Sequence, residues 1–200
     1  MNTIGIFGGT FDPPHLGHLI LAAEARAQLG LERLLWVLTP DPPHKQSQSI
    51  APLEHRLEMV SLAIAGNPQF ELSSVELSRA GPHYAMDTVH ILAGQNPGVN
   101  LVYLMGGDSL RDLPAWHQPA DFIAACHLIG VMRRPDDTVE LAALEKSLPG
   151  LTAKVRFVEA PLLNIAARDI RVRIAEGKPF RYFLPGTVYE YIVSHGLYRH

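Results

Sequence analysis

Residues 8–18 read GGTFDPPHLGH and directly follow the apolar run 4–7. Two glycines at the end of a strand let the backbone approach a ligand closely, and the two prolines stiffen the turn. Apolar residues then recur every three or four positions, which predicts a helix whose first-turn N–H groups and positive dipole end favour an anion. His15 and His18 are three residues apart, so both imidazoles can reach the same group. This stretch, the glycine–histidine loop, therefore predicts a phosphate-binding site.

The sequence motifs of other phosphate-binding sites and of acyl-transfer enzymes do not occur in this chain. The loop lacks the G-x-G-x-x-G of a dinucleotide site and the G-K-[ST] ending of a P-loop. No G-x-S-x-G elbow occurs, and Cys126, the single cysteine, does not follow a predicted strand, so a covalent intermediate has little support. The alternative to a phosphate site at residues 8–18 is an ordinary strand-to-helix turn with surface histidines. That alternative requires the glycines, prolines, aspartate and two spaced histidines to coincide there by chance.

Strand and helix candidates alternate along the chain. This alternation predicts a doubly wound, Rossmann-like α/β fold, with a parallel sheet covered by helices on both faces and a small C-terminal helical lobe. Ligands of such sheets bind beyond the carboxyl ends of the strands. Gly177 and Gly196 are suited to the left-handed position that follows a helix. The strand candidates are 3–7, 33–39, 70–72, 101–105, 127–132 and 155–158, and the helix candidates are 16–29, 52–65, 84–94, 119–125, 138–147, 168–176 and 187–194.

Composition is typical of one globular domain. With 200 residues, 47% hydrophobic and 18% charged, the chain can bury a core as a single domain over 1–200, whose part from about 160 onward is helical. A net charge of −3 does not favour nucleic acid or anionic membrane, and no signal peptide or membrane span is predicted. The lone cysteine indicates no intramolecular disulfide. We expect a cytoplasmic protein, and the sequence leaves a homo-oligomer open.

The loop resembles the G-G-[ST]-F-D-P-x-H-x-G-H signature of the nucleotidylyltransferase superfamily. Further segments are similar to bacterial nicotinate mononucleotide adenylyltransferases, and together they cover nearly the whole chain. These segments are PDPPHK at 40–45, HYAMDT at 83–88, GGDSL at 106–110, LPAWH at 113–117 and IAARDIR at 165–171.

The resemblance implies adenylyl transfer from ATP to nicotinate mononucleotide, which gives nicotinate adenine dinucleotide and pyrophosphate in NAD biosynthesis. A 5′-phosphate is already largely ionised at neutral pH, so it needs no general base, and the protein supplies alignment and positive charge. Mg²⁺ would accompany ATP. The resemblance implies His15, His18 and Lys45 as catalytic residues, and as binding residues Gly8, Gly9, Thr10, Phe11, Tyr84, Thr88, Gly106, Asp108, Trp116, Arg133, Ile165, Arg168 and Arg171.

Several of these roles have a structural alternative. Lys45 could be a solvated surface charge. Asp108 could cap a helix rather than serve the ATP ribose or phosphate-bound Mg²⁺. Trp116 would stack on the pyridine ring, with Tyr84 and Thr88 completing that pocket, or it could belong to the core.

The chain departs from the family pattern at two places. Ala166 and Ala167 stand where hydroxyls usually hold ATP phosphates, and Ala85 stands where Thr is usual. Arg168 could replace the missing hydroxyls while Asn164 caps the helix, or Arg168 could be a solvated residue. The alternatives to the main function are a related transferase that uses nicotinamide mononucleotide or phosphopantetheine, and a nucleotide-binding sensor without turnover.

Overall fold

The computed structural model describes residues 2–41, 50–132, 139–161 and 163–199. Its six strands form one parallel sheet in the order β3-β2-β1-β4-β5-β6. The strands are β1 (Thr3–Gly9), β2 (Arg33–Leu38), β3 (Phe70–Ser73), β4 (Asn100–Gly106), β5 (Leu128–Met132) and β6 (Val155–Val158). The Rossmann-like parallel sheet predicted from the alternation of elements is confirmed.

Helices connect the strands and close the chain. In the described part of the chain they are α1 (Leu16–Gln28), α2 (Leu53–Ile64), α3 (Ala85–Gln95), α4 (Gly107–Asp112), α5 (Pro119–Ala125), α6 (Leu141–Ser147), α7 (Leu151–Lys154), α8 (Ala167–Ala175) and α9 (Gly186–His195). The apolar pattern of the sequence did not predict α4 and α7, because these helices have six and four residues and are too short to show a helical period. Gly177 and Gly196 have φ of +65° and +61°, as predicted.

Apolar side chains form a core on each face of the sheet. Ala22 and Ala25 of α1 and Val60 of α2 are buried on one face. Val89 of α3 and Phe122 of α5 are buried on the other. The sheet is therefore covered on both sides, as a parallel sheet requires.

The two C-terminal helices pack against α2 in a third cluster. Met59 of α2 contacts apolar residues of α8 and α9, and the buried members are Met59, Ile170, Ile174, Leu184, Val188 and Ile192. This C-terminal helical part lies beside the helix that follows β2. None of the helices in the described ranges is long and apolar enough to cross a membrane.

Candidate active site

The carboxyl ends of β1 and β4 diverge at the centre of the sheet. The two strands pair from Thr3 to Phe7 of β1, after which β1 continues beside β2 as far as Gly9, and β4 continues beside β5 as far as Gly106. Helices α1 and α3 lie on opposite faces, so this is the point where the strand order reverses and ligands of such sheets bind. The glycine–histidine loop and the GGDS segment leave the sheet at the same crevice.

The packing around Gly8 and Gly9 leaves little room for a side chain at either position. A β-carbon on Gly8 would lie 3.1 Å from the Tyr103 hydroxyl oxygen, and one on Gly9 would lie 2.8 Å from the Phe11 ring. The second distance is shorter than van der Waals contact, and the Phe11 ring is buried. The sequence predicts close approach of a ligand at both glycines, and the packing of Tyr103 and Phe11 is a second reason for small residues there.

Phe11 adopts a left-handed backbone conformation in the glycine–histidine loop, and its ring is buried. Its φ is +47°, and its side chain is 2% exposed. The ring contacts those of Phe7, Trp36 and His18, with centroids 5.4, 5.0 and 5.2 Å away. Because the ring belongs to the core, only the backbone of Phe11 can face a phosphate. The substrate-binding role of Gly8, Gly9, Thr10 and Phe11, in which their backbone N–H groups would donate to phosphate, stays a prediction.

His15 and His18 lie at the first turn of α1. Their rings are stacked with centroids 3.7 Å apart, and the backbone N–H of His15 donates to His18 Nδ1 over 3.1 Å. A neutral imidazole that accepts at Nδ1 carries its hydrogen on Nε2, so His18 presents a donor there. A β-carbon on Gly17 would lie 3.0 Å from His15 Nδ1, so the glycine between the histidines leaves room for the His15 ring.

Asp12 ties the glycine–histidine loop to the C-terminal helices. Its carboxylate is buried, and Oδ1 accepts from the Ala51 N–H over 3.2 Å and from the Tyr198 hydroxyl over 2.6 Å. Arg171 Nη1 donates to the Asp12 carbonyl oxygen over 2.7 Å and lies 3.6 Å from Oδ2. Arg171 thus braces the loop, and its predicted contact with ATP phosphate stays a prediction.

Arg56 is a structural residue of the site that sequence reasoning missed. It is 2% exposed on α2, and its guanidinium donates to the carbonyls of Thr10, Thr39, Pro40 and Ala51 over 2.7–3.3 Å. Burial lowers the pKa of Arg56 and the nearby Asp12 carboxylate opposes that shift, so the side chain keeps its charge. The arginine joins the segments that follow β1 and β2.

A signal for Arg56 was present in the sequence. Apolar residues at 53, 57, 60 and 64 define the buried face of α2, and position 56 falls on that face. An arginine among them must find polar partners inside the protein, because an unpaired buried charge is very costly.

The aromatic residues of the predicted pyridine pocket come from the start of α3 and from the segment after α4. Tyr84 precedes α3 and stacks on His117, with ring centroids 4.2 Å apart and planes 20° from parallel. Trp116 is half-buried, and its ring lies 5.4 Å from that of Phe122 and 6.3 Å from that of Tyr103. Trp116 therefore has one side on the core and part of its surface exposed, an arrangement suited to stacking on a flat ligand.

Thr88, in the first turn of α3, belongs to a buried polar network. It is 1% exposed, its hydroxyl donates to Glu76 Oε1 over 2.8 Å, and it accepts from Arg79 Nη2 over 3.3 Å. Arg79 also donates to the Tyr84 carbonyl oxygen. Burial and the charge of Glu76 raise the pKa of Tyr103, whose hydroxyl lies beside Gly8. The Thr88 hydroxyl is thus engaged within the protein, and a direct pyridine contact stays a prediction.

Asp108 is the second residue of α4 and does not cap it. The helix begins after Gly106, and no side chain caps that end. Asp108 Oδ1 accepts from the Ser109 N–H over 2.9 Å. A β-carbon on Gly106 would lie 2.5 Å from Asp108 Oδ1, so a side chain at position 106 would displace the carboxylate. The capping alternative is wrong, and the ligand role of Asp108 stays a prediction.

The segment before α8 lies against the first turn of α1. Ile165 Cβ is 3.8 Å from the position of a β-carbon on Gly17. Helix α8 begins after Ala166, and no side chain caps it, so the prediction that Asn164 caps the helix is wrong. Arg168 is exposed in the first turn. The roles of Ile165 and Arg168 toward ATP stay predictions.

A family model described as cytidylyltransferase-like matches residues 6–173. The chain belongs to this family. Among its relatives in the family, proteins named probable nicotinate-nucleotide adenylyltransferase extend along its whole length. The protein of that name from Thermomicrobium roseum is 47% identical over 199 residues, which cover 100% of this chain and 92% of the relative. The one from Bacillus pumilus is 39% identical over 198 residues, which cover 99% of each.

A solved structure with this fold is the Plasmodium falciparum nicotinic acid mononucleotide adenylyltransferase complexed with NaAD. It superposes with a TM-score of 0.82 at 17% identity, covering 99% of this chain and 98% of the other, which supports the fold.

Two predicted cations of the site fall outside the described residues. These are Lys45 and Arg133, whose roles stay predictions. Within the described ranges, no group of three or more His, Cys, Asp or Glu side chains could hold a metal ion. Cys126 is 1% exposed, and burial raises the pKa of its thiol to about 12, which makes it a core residue rather than a nucleophile.

Proposed function

We propose that this cytidylyltransferase-like protein transfers the adenylyl group of ATP to nicotinate mononucleotide in NAD biosynthesis. The products are nicotinate adenine dinucleotide and pyrophosphate. The observation that carries the proposal is the stacked pair His15 and His18 at the start of α1, at the end of the sheet where the strand order reverses. Tyr103 of β4 connects that end of the sheet to Trp116: a β-carbon on Gly8 would lie 3.1 Å from its hydroxyl oxygen, and its ring centroid lies 6.3 Å from that of Trp116. The relatives of the chain support the same reaction, because they match it over its full length under that name.

The histidines would act on the phosphates of both substrates. A phosphate oxygen of the mononucleotide attacks the α-phosphorus of ATP, the bond from that phosphorus to the β-phosphate oxygen breaks, and pyrophosphate leaves with the electron pair. The Nε2–H of His18, set by the hydrogen bond at Nδ1, and the N–H groups at the start of α1 would stabilise the spreading negative charge. His15 is held beside His18 by their stacking.

No covalent intermediate is needed for this reaction. The attacking phosphate is ionised at neutral pH and requires no general base. The thiol of Cys126 is buried and protonated, so it cannot compete as a nucleophile. The work of the protein is therefore alignment of two substrates and neutralisation of their charge, to which Lys45 and Arg133 would add.

Mg²⁺ would enter the site together with ATP. Asp108, at the second position of α4 directly after the β4 strand end, would be the carboxylate that helps to hold it. A single carboxylate fits this ion, which usually keeps several water ligands and binds substrate phosphates rather than an all-protein cage. When bound, Mg²⁺ would offset the charge of the triphosphate and of the departing pyrophosphate.

The pyridine ring would stack on Trp116. The indole offers a flat face, and its other contacts, with Phe122 and Tyr103, hold it in place. Tyr84 and His117 would form the adjoining wall. The ring substituent would lie near the start of α3, where Ala85 follows Tyr84.

Pyrophosphate release tests the function directly. The purified protein is assayed with ATP and Mg²⁺ plus nicotinate mononucleotide, nicotinamide mononucleotide or phosphopantetheine in parallel. We expect the highest kcat/KM with nicotinate mononucleotide and the loss of that activity in His18→Ala. A higher kcat/KM with another acceptor would reassign the substrate, and binding without pyrophosphate release would indicate a sensor.

A further inference from the structure

We propose that Tyr198 is a positioning residue for adenylyl transfer: its hydroxyl, donated to Asp12, holds the glycine–histidine loop so that His15 and His18 stay aligned. The relation to catalysis rests on the proposed function, whereas the contact itself does not. Tyr198 and Asp12 are 186 residues apart in the chain, and their oxygen atoms are 2.6 Å apart. A hydrogen bond of this length from a hydroxyl to a carboxylate is among the stronger kinds found in proteins.

Asp12 is the single acidic residue of the glycine–histidine loop. Its side chain is 1% exposed, so its carboxylate depends on protein partners rather than on water. The partners come from three places: the Ala51 N–H before α2, the Arg171 guanidinium on α8, and the hydroxyl of Tyr198. Tyr198 is the one that connects the loop to the C-terminal turn.

The backbone after α9 delivers the Tyr198 ring to this point. Gly196 has φ of +61° and Tyr198 has φ of +64°, so the chain reverses at the end of the helix. The ring packs against the apolar cluster around Met59, and the hydroxyl oxygen lies 4.0 Å from Met59 Sδ. Burial and the Asp12 carboxylate both raise the pKa of Tyr198, so the hydroxyl keeps its proton and remains a donor.

The contact reaches the histidines through a stiff connection. Two prolines separate Asp12 from His15, and their fixed φ transmits a displacement of Asp12 to the start of α1. The backbone N–H of His15 donates a hydrogen bond to His18 Nδ1, so a displacement of His15 would move both rings together. A shift of about 1 Å in reacting groups can lower a rate by about 100-fold without loss of binding.

The test compares two tyrosines of the C-terminal part. Tyr198→Phe removes one oxygen and keeps the ring. Tyr191→Phe is the matched control, because its hydroxyl lies 2.9 Å from His55 Nδ1 and also joins the C-terminal part to α2, but it does not contact the loop. We expect Tyr198→Phe to lower kcat by about ten- to 100-fold, with KM for ATP and for nicotinate mononucleotide within about twofold. Tyr191→Phe should retain kcat within about twofold.

A second comparison separates positioning from stability. In a background that carries both His15→Ala and His18→Ala, adding Tyr198→Phe should lower the residual kcat by less than about threefold, because both groups that it positions are already absent. Equal losses of Tm in Tyr198→Phe and Tyr191→Phe, with kcat retained in both, would assign Tyr198 a purely structural role.

Hydrogen exchange provides a readout that does not require turnover. Amides of residues 9–18 should exchange faster in Tyr198→Phe than in Tyr191→Phe. Unchanged protection of the loop would overturn the proposal even if the wild type proved inactive. Absence of wild-type pyrophosphate release with altered loop exchange would instead contradict the proposed function alone.

Discussion

The imidazole rings of His15 and His18 lie face to face, with centroids 3.7 Å apart and planes 26° from parallel. The same two residues are joined by the hydrogen bond from the His15 N–H to His18 Nδ1. This arrangement orders both rings at the start of α1, where helix N–H groups also favour an anion. The pair is therefore organised by the protein before any phosphate arrives.

Removing either imidazole should affect the transition state more than binding. We expect His15→Ala and His18→Ala each to lower kcat by about 100-fold, because a donor directed at developing charge acts mainly there. The measurement is steady-state pyrophosphate release, with the Kd of nicotinate mononucleotide taken from calorimetry. His90→Ala, at an exposed position of α3, serves as the control and should retain full activity. Near-normal kcat in both active-site variants would remove their catalytic role.

A side chain at position 17 should disturb His15. The added β-carbon of Gly17→Ala would lie 3.0 Å from His15 Nδ1 and 3.1 Å from Cε1, so the ring must shift. We expect kcat to fall by about tenfold while the fold is retained. Gly94→Ala, in α3 with no atom within 4 Å of the new β-carbon, should keep kcat and raise the free energy of unfolding by about 0.5–1 kcal/mol. Equal kcat in the two variants would show that the His15 ring tolerates displacement.

Loss of the Trp116 indole should weaken the binding of nicotinate mononucleotide and leave the binding of ATP unchanged. If Trp116 stacks on the pyridine ring, Trp116→Ala should raise KM for nicotinate mononucleotide by about tenfold and leave KM for ATP unchanged. Trp116→Phe keeps a flat face and should recover most of the affinity. A fall in Tm with both KM values unchanged would instead assign the residue to the core beside Phe122.

The exposed arginine at the start of α8 can be tested against ATP. We expect Arg168→Ala to raise KM for ATP severalfold, because a guanidinium can hold a phosphate by two hydrogen bonds, and Arg168→Thr to restore part of it. Arg173→Ala is a control on the same helix, since that side chain donates to the Pro179 carbonyl oxygen and lies over Phe183. Unchanged ATP kinetics in both Arg168 variants would leave Arg168 as a solvated residue.

Cys126 should resist thiol reagents while the protein is folded. Burial raises the pKa of its thiol to about 12, so at pH 8 almost none of it is thiolate. Iodoacetamide should label the native protein at a small fraction of the rate seen in denaturant, as followed by intact-mass spectrometry. Because the thiol pKa is higher in the folded state than in the unfolded state, this residue stabilises the protein below pH 9 and ceases to do so as pH approaches 12. Rapid native labelling at pH 8 would contradict the burial of Cys126.

Local sequence patterns determined most of the architecture. Short apolar strands that alternate with helices of period 3.6 predicted the parallel sheet. The glycines after α8 and α9 predicted the left-handed backbone conformation at which these helices end. The loop at residues 8–18 predicted the end of the sheet at which the crevice lies. Such signals are readable because a strand, a turn or a helix cap depends on neighbouring residues.

Only the tertiary structure decided which side chains support the site. Asp12 meets Tyr198 across 186 residues and Arg171 across 159, and no local pattern marks these partners. Arg56 lies on an apolar face of α2, and the carbonyl groups that accept its hydrogen bonds come from loops that follow two different strands. The cap proposed for Asn164 failed because α8 begins after Ala166. Contacts of this kind arise from the stacking of distant elements, so their free energy depends on geometry that adjacent residues do not encode.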